Sequence, residues 1–128
     1  MQILTYPHPA LARICRRDFT VSMDDINQMF FLLRECGGLG LAAPQVDIDG
    51  RFFITAWGDI FINPRIVSGA HPIKIMEQCL SLPGETYEVK RLSKIKLATG
   101  QGFKGVQAIV IQHEINHLDG KLIRDQHA

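Results

Sequence analysis

The sequence predicts an α+β fold, with antiparallel β-strands packed around a C-terminal helix and a second helix near the N-terminus. Three observations carry this. Apolar residues recur at spacings of three and four after Ser22, and again from about Gly105. Between those stretches lie short runs rich in β-branched and aromatic residues, separated by turn residues. Strands fill the middle and helices stand near each end, which argues against a wound parallel sheet.

The opening ILTYPHPALARIC, residues 3–15, is apolar and carries Pro7 and Pro9. It reads as an extended arm packed on the body. The first helix is SMDDINQMFFLLRECGG, residues 22–38. Ser22 is its N-cap, with Asp25 three residues on as a weaker capping box. Ile26, Met29, Phe30 and Leu33 make one apolar stripe. Gly37 and Gly38 end the helix, since glycine takes the left-handed position past a C-terminus cheaply.

GLGLAAPQ, residues 38–45, follows directly. It reads as a small-residue crossing that another backbone, or an extended ligand, can approach closely. A phosphate loop is disfavoured, because there is no lysine and no strand-loop-helix order. Strands are expected in RFFITAW (51–57), IFINPRIV (60–67), PIKIME (72–77), ETYEVKR (85–91) and SKIKLAT (93–99). TGQG, residues 99–102, is a tight reversal. From Gly105 the period becomes helical, with Val106, Ile109, Val110, His113 and His117 on one face.

Composition narrows the function classes. The 128 residues suit one domain, 1–128, with a single core, and 46% of them are hydrophobic. Lys+Arg is 14 against Asp+Glu 13, so no direct nucleic-acid binding is expected. Cys15, Cys36 and Cys79 are an odd, scattered set with no CxxC, unlike a secreted disulfide framework. Cys15 and Cys36 are read as structural. No signal-peptide pattern or membrane-length apolar run is present, so a soluble, cytoplasmic protein is expected.

QHEINHLDG, residues 112–120, carries the chemistry. His113 and His117 lie one helical turn apart and can face one ion. Glu114 is rotated by about 100° and flanks that ion, free to act on a water. The bland alternative is a solvated helix, or a satisfied core histidine. A catalytic metal centre needs three protein ligands and an open position. Downstream, Asp119, Asp125 and His127 are too near in sequence or too near the chain end to convince. Upstream stands Cys79 in EQCLSLPG; its bland reading is a small buried hydrophobe.

Together these segments resemble the peptide deformylases. That family carries GΦGΦAAxQ, EGCΦS and HEΦDH in this order, Φ being apolar. Here they stand as Gly38 to Gln45, Glu77 to Ser81, and His113 to His117. The likeness extends to the proline-bearing arm, to LPG with Val89 and Arg91, and to HLDG at 117–120, so it covers most of the chain.

The resemblance implies hydrolysis of N-formylmethionyl peptides to formate and a free amine. It implies one divalent metal on Cys79, His113 and His117, Fe(II) in the cell, with Zn, Ni or Co as replacements. Glu114 is implied as general base and acid, with the Gln45 side chain and the Leu80 N–H as oxyanion donors. Gly40 would lie along the peptide. Leu39, Ile75, Val106, Ile109 and Val110 are implied as the methionine pocket, with ordinary core as their other reading. Glu77 and Arg91 would brace the cysteine loop. Implied partners are N-formylmethionyl nascent peptides, with room for ribosome association and none for a membrane.

Gln78 stands in place of the family's glycine, at the pocket mouth. Asn116 stands in place of its aspartate, so a charge behind the ligands is missing, which bears on metal hold or rate. The segment from Leu97 to Val106 is short, and no C-terminal helix follows HLDGKLI. That pattern resembles short, minimal or virus-borne members, which would work in a host cytoplasm. Two rivals remain: a HExxH endopeptidase, and a binding domain with a structural metal.

Overall fold

The computed structural model describes residues 1–126 and contains two α-helices and six strands among them. His127, weighed above as a ligand, lies outside the described residues.

Helix α1 spans Met23–Cys36. Ser22 Oγ accepts from the Asp25 N–H at 3.1 Å, and Asp24 and Asp25 sit in the first turn, where the helix dipole favours negative charge. Gly37 closes the helix at φ 65°, with its N–H on the Arg34 and Leu33 carbonyls. Ile26, Met29 and Leu33 are buried and Phe30 is half-buried, as the stripe predicts.

Strands β1 (Gly40–Ala42), β2 (Phe52–Thr55) and β3 (Ile60–Ile62) form one antiparallel sheet in that order. Strands β4 (Ile66–Cys79), β5 (Leu82–Leu97) and β6 (Gly102–Lys104) form a second. Helix α2, Gly105–Leu118, packs against both. One core cluster joins Phe53, Ile95, Leu97, Ala108, Ile111 and Leu118 around that helix. A second seats α1 on the first sheet through Met29, Leu33, Leu41, Phe52 and Ile54.

Several boundaries differ from the sequence reading. IFINPRIV is not one strand. Asn63 takes φ 49° and Pro64 follows, so β3 ends at Ile62 and a new strand in the other sheet begins at Ile66. PIKIME is the later part of β4, while ETYEVKR and SKIKLAT fuse into β5. Paired to each other, β4 and β5 form a hairpin longer than either local pattern suggests. The three-residue strands β1 and β6 were not read as strands, because so short a segment carries no usable alternation.

The HExxH helix also shows a second face. Val106, Ile109, Val110 and His113 line a cleft, while Ala108, Ile111 and Leu118 enter the core. A helix flanked by core on one side and an apolar cleft on the other needs apolar residues nearly all round. The N-terminal arm is extended, with a 3-10 turn at Pro9–Ala12. Its Leu4 N–H donates to the Gln45 carbonyl at 2.7 Å and its Tyr6 N–H to the Ser81 carbonyl at 2.9 Å.

Candidate metal centre

Three segments remote in sequence meet at one end of the cleft. Helix α2 presents His113 and His117 one turn apart, ring centroids 5.0 Å apart and planes at 63°. Cys79 ends β4, where the register shifts after Glu77 and the strand turns back at once, pairing Cys79 with Leu82. One potential ligand atom each from Cys79, His113 and His117 lies within 4.8 Å of the others. Cys79 Sγ is 3.3 Å from His117 Nε2.

The surrounding bonds orient these donors. His113 Nδ1 lies 2.8 Å from Glu77 Oε1, and a carboxylate can only accept, so Nδ1 carries the proton. That leaves His113 Nε2 as the ring's free donor atom, the usual arrangement behind a metal-bound imidazole. Arg91 donates to both Glu77 oxygens, from Nε at 2.7 Å and Nη2 at 2.9 Å. Arg91 Nη1 donates to Asn116 Oδ1 at 2.6 Å. Glu77 and Arg91 are 8% and 5% exposed, so this is a buried, satisfied pair and not a solvated one. Asn116 therefore hydrogen-bonds Arg91 without bringing a charge.

Charge follows from these contacts. Burial pushes the Glu77 carboxyl up, but hydrogen bonds from Arg91 and His113 outweigh it and hold the group at about 2. Burial pushes the His113 imidazolium down, and bonds to Cys79 and Glu77 overcome this, raising it to about 10 in the metal-free chain. His117 is lowered well below the ordinary histidine value by burial and by the charge of His113. The thiol and two imidazoles form an N/S donor set suited to a divalent transition cation. A cation would displace a proton from His113 and replace the ionic role that proton plays.

Glu114 stands beside this cluster. It is 4% exposed, and Oε1 has no hydrogen-bond partner among the described residues. Burial raises its carboxyl to about 7. Gly40 makes room for it: a Cβ there would stand 2.6 Å from Glu114 Oε2. That is a reason for glycine beyond the passage of a peptide.

Gln45 is set by a 3-10 turn, Ala43–Val46, straight after β1. Its Oε1 accepts from the Ala42 N–H at 2.9 Å, so its Nε2 is the outward donor, 3.1 Å from Ser81 Oγ and 3.9 Å from Cys79 Sγ. Leu80 follows Cys79 and borders the same cleft. The cleft encloses about 590 Å³, enough for a short peptide segment. Leu39, Gly40, Ile75, Val106, Ile109 and Val110 all line it. Leu39 and Val106 are half-exposed at its rim, while Val110 is buried.

Two supporting residues escaped the sequence reading. Ser81, fully buried, receives the Gln45 amide. Gln112 accepts from the Leu92 N–H at 2.9 Å and donates to the Leu92 carbonyl at 2.7 Å, fastening α2 to β5 just before His113. Ser81 lies inside a quoted motif and could have been found there; nothing local marks Gln112.

Known proteins resemble this chain over nearly its whole length. The family model described as Polypeptide deformylase matches residues 1–128. Peptide deformylase 2 of Xanthomonas axonopodis pv. citri is 36% identical, the alignment covering 98% of this chain and 85% of that protein. The peptide deformylase of Hahella chejuensis is 34% identical over the same shares. Among solved structures, the Plasmodium falciparum peptide deformylase in complex with an inhibitor superposes with a TM-score of 0.89 at 33% identity, covering 99% of this chain and 89% of that one. That of Thermotoga maritima also gives 0.89, at 31% identity, over 99% and 97%. An α+β frame that carries a cysteine hairpin to a HExxH helix, matched end to end in sequence and shape, makes this chain a member of the peptide deformylase family.

Proposed function

We propose that this chain removes the formyl group from N-formylmethionyl peptides, with Cys79, His113 and His117 holding one divalent cation. Metal-dependent deformylation is the family's activity. The observation that carries the reading is Glu114: a buried carboxylate at about 7, with an unpartnered oxygen, beside a thiol and two imidazoles at the end of an apolar cleft. A structural metal site would have no use for such a group, because an unpaired buried carboxylate destabilises the fold.

Held by Cys79, His113 and His117, a divalent cation would supply Lewis acidity at this end of the cleft. Glu114 takes one proton from the attacking water and delivers it to the leaving nitrogen. A pKa near the working pH suits both halves of that transfer. The carbon–nitrogen bond breaks, giving formate and a free amine. Gln45 Nε2 and the Leu80 N–H donate to the oxyanion; removing one such donor costs about 3 kcal/mol of barrier. Support for Gln45 comes from its Oε1 bond to Ala42, which turns the amide's donor end toward the cysteine. Ile75, Ile109 and Val110 would take the methionine side chain. Glu77 and Arg91 would hold His113 in its tautomer and position.

Fe(II) is the proposed native ion, with Zn, Ni or Co as substitutes. The proposed substrates are nascent chains in the cytoplasm, met at or near the ribosome. No described helix is long and apolar enough to cross a membrane.

The deciding experiment is Glu114→Ala in anaerobic Fe(II)-loaded protein with formyl-Met-Ala-Ser. Formate release should vanish while metal content stays near one ion per chain. Release that survives the substitution would remove Glu114 from the reaction. Metal lost along with activity would make it a support of the ion instead.

A further inference from the structure

Gln78 lies on β4 between two buried residues, Glu77 and Cys79, yet is itself exposed. It borders the same cleft as Gln45 and Glu114. Its Nε2 donates to Thr86 Oγ1 across the hairpin at 3.3 Å. That bond engages one of the two N–H groups of the amide and fixes which end faces Thr86. Oε1 takes no hydrogen bond from any described residue. The rest of the outer rim is apolar, with Leu39, Met76 and Val106 all about half exposed or more. One oriented amide, its oxygen free to accept, thus stands among hydrophobic side chains at the cleft mouth.

Its position relative to the reacting group follows from the chain. A peptide whose formyl carbon sits beside Glu114 and Cys79 sends its methionine side chain toward the more enclosed Ile75, Ile109 and Val110. On that pose the backbone leaving the methionine would pass outward over the rim that Gln78 borders. We propose that Gln78 is a specificity-determining residue. Its Oε1 accepts a hydrogen bond from Ser, Lys or Arg following the formylmethionine, an inference resting on the deformylase reading above. A following Leu leaves that oxygen unpaired, and so does a following Glu, which brings no donor to it.

The test uses metal-loaded wild type, Gln78→Met and Gln78→Ala. Two readouts are taken on peptides Met-X-Ser with X as Lys, Ser, Leu or Glu: calorimetric Kd of the deformylated products, and formate release from the formyl forms. Wild type should favour Ser over Leu and Glu by about fivefold, the weight of one neutral hydrogen bond, and Lys by at least as much. The preference should lie in KM and product Kd, not in kcat. Both variants should level it; the Met side chain keeps the length and lacks the acceptor. No preference in wild type, or a preference that survives both substitutions, overturns the assignment. Product binding separates the two failures. Ranked binding without hydrolysis would end the deformylase reading and leave the rim; flat binding with normal hydrolysis would end the rim alone.

Discussion

Gly40→Ala adds one methyl group to the wall of the cleft, and its consequence can be worked from distances. The new Cβ would stand 2.6 Å from Glu114 Oε2, 2.9 Å from Glu114 Cγ and 2.9 Å from Val110 Cγ1. The carboxylate contact falls about 0.8 Å short of the 3.4 Å at which ordinary contact begins. Little can yield. Val110 and Glu114 are 8% and 4% exposed, and β1 is paired to β2 from Gly40↔Thr55 to Ala42↔Phe53. Either the carboxylate rotates out of the cluster or β1 and α2 part. A misplacement on the order of 1 Å costs about 100-fold in rate. Overpacking of this kind costs about 1–3 kcal/mol of stability. We therefore expect kcat/KM for formyl-Met-Ala-Ser to fall about 100-fold, with the melting temperature lowered by several degrees. Metal content should stay near stoichiometric, because the three nearest atoms to the methyl group belong to Glu114 and Val110 and not to Cys79, His113 or His117. The measurements are formate release, elemental analysis and thermal unfolding of one preparation. Gly38→Ala is the contrast. Its Cβ would meet only the ends of Leu33 and Leu80, at 3.0 and 3.1 Å, and flexible side-chain ends can move. A Gly40→Ala enzyme within threefold of wild type, correctly folded, would refute the claim that this glycine positions Glu114.

Other outcomes follow from the buried network. Arg91→Met strips the guanidinium from both Glu77 oxygens and leaves the buried carboxylate with His113 alone, so stability should fall by about 3 kcal/mol in denaturant titrations, and chelator competition should show weaker metal binding. Arg91→Lys should rescue only part of this, since an ammonium cannot reproduce bonds to both Glu77 oxygens and Asn116. Glu77 has a folded value of about 2 against 4.5, so its contribution is complete above pH 4.5 and is lost as pH falls toward 2. Metal-free wild type should lose on the order of 3 kcal/mol more than Glu77→Gln over that window in urea; parallel pH curves would contradict it. Thiol labelling separates the cysteines. Cys36 is exposed and should react in the native metal-loaded protein. Cys79 should react only after chelation. Cys15, buried and raised to about 11 by that burial and by Asp49, should react only on unfolding. Native labelling of a Cys36→Ser variant before chelation would count against this order.

The correspondence between sequence and structure is uneven, for physical reasons. Helix α1 could be read almost residue by residue, because a cap, a stripe and a terminal glycine all lie within a few residues of what they act on. The HExxH pair could be read for the same reason: one helical turn sets its geometry. The third ligand could be nominated only by eliminating downstream candidates and then by the likeness of EQCLS to a family motif, since Cys79 and His117 are 38 residues apart and no local period connects them. The long strand β4 is not legible as one piece because Gly69, Ala70, His71 at φ 60° and Pro72 interrupt the alternation without ending the ladder.

By itself the sequence determined the fold class, the first helix, the facing histidines and, by family likeness, the chemistry. Those depend on residue types at fixed short spacings. The tertiary structure decided what spacing cannot reach: which strands fuse and pair, that Asn116 still serves Arg91, that Gln112 clasps β5, and that Glu114 lies buried against a glycine. Each of these is a contact between segments remote along the chain, set by packing and register and not by neighbours in sequence.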